Sequence, residues 1–76
     1  MKENQVLSAL QPGQQAVVKL IKKDSSMRRR LQDLGLTPGT TVTCLLKSPL
    51  GDPVAYLIRG AVIALRHEDS RQIQLN

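Results

Sequence analysis

The 76 residues suffice for one small domain with a thin core, because a chain of this length buries only about 60% of the surface that it exposes when unfolded. The 11 Lys and Arg against 6 Asp and Glu give a formal net charge of +5, which suits an acidic protein surface, a nucleic acid or an anionic membrane as partner. One cysteine excludes an intramolecular disulfide, and neither a signal peptide nor an apolar run of the ~20 residues of a membrane span is present, so a cytoplasmic protein is predicted.

Proline and glycine divide the chain into short segments, of which Gln14 to Ile21 is the first with strand character. Its apolar residues alternate, and Ala16, Val18 and Leu20 fall on one face. This segment is the first predicted strand.

One short helix, Met27 to Leu34, is predicted after that strand. Met27, Leu31 and Leu34 recur at i, i+4 and i+7 and form one apolar stripe. Gly35 follows at the position where a left-handed C-cap favours glycine.

Four further strands are predicted after the helix: Thr40 to Lys47, Val54 to Arg59, Ala61 to Arg66, and Arg71 to Leu75. In the first of these, Val42, Cys44 and Leu46 share a predicted inward face, and Gly60 alone separates the next two, which predicts a tight hairpin. Five short strands and one helix inserted after the first predict a mainly β fold, a small SH3-like barrel with the helix over one opening. An OB-type barrel is the alternative.

Several motifs together carry a resemblance to a known family. The segment Arg29 to Gly39, RRLQDLGLTPG, resembles the RRL-x-x-LG-hydrophobic-x-PG signature of the FeoA family. Three other parts resemble the family's opening element, its GDP hairpin and its closing strand pair: Leu7 to Ile21, Pro49 to Pro53 followed by Gly60, and Ala64 to Arg66 followed by Ile73.

The resemblance implies a single FeoA-like domain over residues 1–76, with a cytoplasmic role in bacterial ferrous iron uptake. It implies binding to the cytoplasmic part of FeoB, a membrane permease with a GTP-binding domain, which this chain would support or regulate. The chain would then approach the inner face of the membrane only through that partner, as a monomer or a weak homo-oligomer. The same domain occurs in metal-dependent repressors, so a metal-responsive regulatory domain is an alternative.

A partner-binding surface is predicted around the helix and the hairpin. Apolar residues on the second faces of the strands, such as Leu45 and Leu57, are expected either to form a patch or to be covered by the helix and the N-terminal segment. The predicted partner-binding residues are Arg28, Arg29, Lys22, Lys23, Leu50, Asp52 and Arg59.

No catalytic or nucleotide site is predicted. A nucleophile pair would need contact between Cys44, expected in the core, and His67, expected at an exposed strand end. The chain has no phosphate-binding glycine motif. Nucleic acid is not expected as a partner because Tyr56 is the one aromatic residue, although a small basic barrel that binds nucleic acid is kept as an alternative.

His67, Glu68 and Asp69 are the only weak candidates for metal ligands, and no cofactor is predicted. One histidine and two carboxylates fall short of a closed site, so a surface transition-metal contact that bridges two molecules is the alternative. The simpler interpretation is a solvated turn whose acids begin a short helical corner.

Overall fold

The computed structural model describes residues 5–22 and 26–76, without the side chains of residues 26 and 27. Lys23 and the side chain of Met27, both part of the sequence predictions, therefore lie outside the described residues. The described elements are β1 (Gln5–Val6), a 3₁₀ turn (Leu7–Ala9), β2 (Gln15–Ile21), α1 (Ser26–Asp33), β3 (Thr41–Lys47), β4 (Val54–Ile58), β5 (Ala61–Leu65), α2 (His67–Ser70) and β6 (Ile73–Leu75). The mainly β prediction is confirmed.

The strands form one antiparallel sheet in the order β1-β6-β2-β3-β4-β5. The last strand of the chain lies between β1 and β2, so the C-terminal segment is held by the N-terminal half. Among the described strands, β1 and β5 are the two edges.

The core lies on one face of this curved sheet and is centred on Tyr56, which is fully buried. The Tyr56 hydroxyl donates a 3.4 Å hydrogen bond to the carbonyl oxygen of Leu7, which connects β4 to the 3₁₀ turn. Burial raises the pKa of Tyr56. The other fully buried large side chains are Leu7, Leu31, Leu36, Ile58, Ile73, Leu75, Val18 and Val42.

Two register shifts correct the predicted faces of β2 and β3. Between Val18 and Leu20, β2 has one residue more than its partner β6, so Ile21 is buried and Leu20 is 38% exposed. Between Cys44 and Leu46, β3 has one residue more than β4, and Leu46 is 59% exposed. The prediction that Leu46 faces inward was wrong, as was the prediction that Leu20 shares a face with Val18, because an extra residue in a strand reverses the alternation beyond it.

The structure has a sixth strand and a second helix. β1 has two described residues, and an alternating pattern cannot be recognised in so short a strand. Because β1 precedes β2, α1 follows the second strand, and not the first as the sequence predicted. α2 lies where the acids indicated a short helical corner. Neither described helix has the length and apolar character needed to cross a membrane.

The helix α1 packs on the core through Leu31, which is buried, and Leu34, which is half-buried. Gly35 ends it with φ of +103°, which confirms the predicted C-cap. A Cβ at Gly35 would lie 2.9 Å from Cδ of Arg59, so the end of α1 closely approaches the β4–β5 turn.

Candidate protein interface

The β4–β5 hairpin is built on a two-residue turn. Arg59 and Gly60 have φ of 50° and 83°, and positive φ at both positions is the mark of a type I′ turn. The sequence predicted Arg59 as the last residue of a strand. The structure instead places Arg59 in the turn, because β4 ends at Ile58. Pairing then continues without a shift from Ile58↔Ala61 onwards.

The side chain of Arg59 connects this turn to the loop that follows α1. Its Nε donates to the carbonyl oxygen of Gly35 at 3.4 Å, and its second guanidinium nitrogen donates to the hydroxyls of Thr37 and Thr40, both at 3.3 Å. Arg59 thus contributes to packing. Its predicted contact with a partner stays a prediction.

The loop between β3 and β4 carries two further predicted partner-binding residues. Leu50 projects from it with 93% of its surface exposed. Asp52 accepts a 2.8 Å hydrogen bond through Oδ1 from the backbone N–H of His67. This bond reaches the first residue of α2, where a free amide needs an acceptor.

The remaining predicted residues lie on and before α1. Lys22 follows β2, and Arg28 and Arg29 belong to the helix; all three are exposed. The described members of the predicted set therefore lie in two places. One group lies on α1 or near its ends and consists of Lys22, Arg28, Arg29 and Arg59. The other group, Leu50 and Asp52, lies in the loop that contacts α2.

A groove between α1, β5 and α2 separates these two places, and sequence reasoning missed it. Its volume is about 490 Å³. We call it the α1–β5 groove, and its apolar lining includes Leu31 and Leu34 of α1 with Ile63 of β5. No local pattern predicts it, because its walls are distant in sequence.

Charged side chains also line the α1–β5 groove. Arg30 of α1 and Arg66 after β5 contribute positive charge, and Glu68 and Asp69 of α2 contribute negative charge. Two of the weak metal candidates thus lie beside two arginines.

The opposite side of the hairpin carries an exposed apolar surface, which we call the outer apolar face. It comprises Leu45, Leu46, Leu57 and Val62, and Val62 is 67% exposed. Leu57 and Val62 are direct partners in the β4–β5 register. The alternative that the helix and the N-terminal segment cover all such residues was therefore wrong.

The family assignment follows from comparison with known proteins. A model of the FeoA domain family matches residues 5–76. The chain belongs to the FeoA family. A curated relative, the Fe(2+) transport protein A/Fe(2+) transporter FeoB fusion protein of Porphyromonas gingivalis, is 36% identical over 69 residues. These residues cover 91% of this chain and 8% of that relative, so the chain spans less than a tenth of the relative's length.

Solved FeoA structures have the same fold. The FeoA protein of Chlorobium tepidum is 33% identical, with a TM-score of 0.86 over 95% of this chain and 69% of that one. The zinc-complexed FeoA of Stenotrophomonas maltophilia, described as a prokaryotic SH3 domain protein, is 26% identical, with a TM-score of 0.85 over 95% of this chain and 89% of that one. The SH3-like prediction is confirmed over the OB-type alternative.

In this FeoA domain Cys44 and His67 have different environments. Cys44 is fully buried, and burial raises the pKa of its thiol although the nearby charge of Lys47 acts in the other direction. His67 is exposed at the start of α2. No hydrogen bond connects the two side chains in the described part of the chain. A buried, protonated thiol is a poor nucleophile.

The weak metal candidates do not converge on one point. His67, Glu68 and Asp69 are consecutive in α2, and successive helical side chains diverge by about 100°. Within residues 5–22 and 26–76, no three His, Cys, Asp or Glu side chains are grouped to hold a metal ion. A contact that bridges two molecules stays a prediction.

Proposed function

We propose that this FeoA domain is an accessory protein of ferrous iron uptake that binds the cytoplasmic part of a FeoB-type permease. The observation that carries the proposal is the fusion protein, in which a segment similar to this chain shares a polypeptide with a FeoB transporter. Fusion gives two modules a high effective concentration, which is useful when they act on each other. The domain then acts by binding in the cytoplasm and supports or regulates the permease, without catalysis of its own.

The described surface supplies features that suit such a partner. The outer apolar face offers exposed apolar side chains that association could desolvate, and Leu57 and Val62 lie side by side within it. The exposed arginines of α1 add positive charge to a chain of net charge +5. An acidic surface on the permease would be attracted to this helix.

The test is capture of the isolated cytoplasmic part of a FeoB-type permease, measured by titration calorimetry at low and moderate salt. Reversing Arg28 and Arg29 to Glu together is expected to lower the affinity about tenfold and to weaken its salt dependence, because charges at an interface rim steer association.

A matched control reverses Lys19 and Arg71 to Glu, which are also exposed and lie outside α1. Both double variants change the net charge from +5 to +1, since each reversal removes two units. Equal losses in the two variants would mean that only net charge matters. Absence of capture by the unmodified chain would overturn the proposed function.

A further inference from the structure

Within residues 5–22 and 26–76, the free edge of β5 carries backbone groups that make no backbone hydrogen bond. In a two-residue hairpin, the residues that flank the turn, here Ile58 and Ala61, form the closing hydrogen-bonded pair. Antiparallel pairs alternate, so Ile63 also bonds to β4, whereas the N–H and C=O groups of Val62 and Ala64 point away from it. In the described residues, no backbone bond outside the strand ladders engages those four groups.

This edge lacks the features that usually protect a strand from pairing. Natural edge strands carry a charge, a proline or a bulge, or are very short. β5 has the sequence AVIAL, with neither a charge nor a proline, and its register with β4 has no shift. The other edge of the sheet, β1, has only two residues.

Apolar surface lies on both sides of the β5 edge. The α1–β5 groove, with Leu31, Leu34 and Ile63, lies on the side of α1, and the outer apolar face, with Leu57 and Val62, lies on the other side. Side chains of a strand alternate between its two faces. A strand added to β5 would therefore place one set of side chains in the groove and the other set against the outer apolar face.

We propose that β5 receives an extended segment of the partner as an additional strand of the sheet. The inference rests on the proposed function and assigns the segment to the cytoplasmic part of the FeoB-type permease. Main-chain hydrogen bonds to Val62 and Ala64 provide the docking register, and the groove selects the apolar side chains that enter it.

Charge favours a partner segment that is apolar and acidic over a second copy of this chain. Arg59 and Arg66 flank the two ends of β5, whereas inside the groove the negative charges of Glu68 and Asp69 offset those of Arg30 and Arg66. The positive charge that an acidic segment would meet therefore lies at the two ends of the strand. A second copy would present its own β5, which has no acid and is flanked by the same Arg59 and Arg66. Two domains of net charge +5 would also repel each other.

The first experiment removes one outward N–H. Ala64→Pro deletes a donor that does not bond to β4, so the hairpin is expected to fold, as edge strands tolerate such prolines. Binding of the permease's cytoplasmic part should weaken at least tenfold. Ala64→Val, which keeps the N–H and adds bulk, should bind within about threefold of the unmodified chain.

Amide hydrogen exchange gives a second measurement that needs no variant. The amides of Val62 and Ala64 should exchange rapidly in the free chain and slowly in the complex, whereas Ile63 should be protected in both. This readout decides the matter if Ala64→Pro fails to fold.

Three results would overturn the inference. Capture that persists with unchanged exchange at Val62 and Ala64 would place the partner elsewhere and leave the proposed function intact. Protection that rises with protein concentration in the absence of partner, together with dimers in sedimentation, would make the occupant a second copy. Absence of any capture would overturn the inference and the proposed function together.

Discussion

The β4–β5 hairpin and the strands β2 and β3 show two outcomes of the same sequence alternation. In the hairpin, pairing continues without a shift, and the neighbours Tyr56 and Leu57 lie on opposite faces as their order predicts. In β2 and β3, a register shift moves Leu20 and Leu46 to the outside. Alternation therefore assigns faces only as far as the first bulge.

The largest expected effect on the free energy of unfolding lies in the β4–β5 hairpin, where the register has no shift. Tyr56→Ala should lower the free energy of unfolding by about 3–5 kcal/mol, because it removes a fully buried aromatic side chain and leaves a cavity. Leu57→Ala, one residue along and 37% exposed, should cost less than about 1.5 kcal/mol. Urea unfolding measures both. Equal losses would show that the two faces are not distinct.

The bulged strand reverses what simple alternation predicts for β2. Ile21→Ala should cost about 2–5 kcal/mol because Ile21 is buried after the register shift. Leu20→Ala should cost less than about 1.5 kcal/mol. The same urea experiment applies, with the slope of the transition checked for change. A larger loss at Leu20 would mean that the strand has no bulge in solution.

A smaller effect is expected where the loop before the hairpin meets α2. Asp52→Ala should lower the free energy of unfolding by about 1 kcal/mol, because the N–H of His67 loses its acceptor. Asp52→Asn keeps an acceptor oxygen and should retain most of that stability. Thermal unfolding compares the three chains. Equal stability of Asp52→Ala and the unmodified chain would remove the capping role.

The smallest effect concerns the dependence of stability on pH. Burial raises the pKa of Cys44 above its usual value of 9.0. The stability that the folded chain gains from keeping this thiol protonated is therefore fully present below pH 9.0. As the pH rises from 9.0 through the raised folded-state value, the unfolded chain loses its proton first and stability falls. Cys44→Ala should lose less stability between pH 8 and pH 10 than the unmodified chain. Parallel profiles of the unfolding midpoint would contradict this.

Much of the architecture was predictable from local signals. The packing of Leu31 and Leu34 on the core, the glycine that ends α1 and the tight β4–β5 hairpin depend on signals from a few neighbouring residues, and the structure confirms these three. The turn of that hairpin consists of Arg59 and Gly60 and not of Gly60 alone. The candidate site was less predictable. Leu50 and Asp52 were expected at a partner surface, but the hydrogen bond that the His67 N–H donates to Asp52 depends on a contact between residues 15 positions apart.

The sequence by itself determined the mainly β class, the helix after Ile21 and the tight β4–β5 hairpin, because periodicity and turn chemistry are properties of neighbouring residues. Tertiary structure alone decided that Leu46 is outside, that β5 is an open edge and that a groove forms beside α1. These features depend on which strand pairs with which, and in what register, and no short segment contains that information.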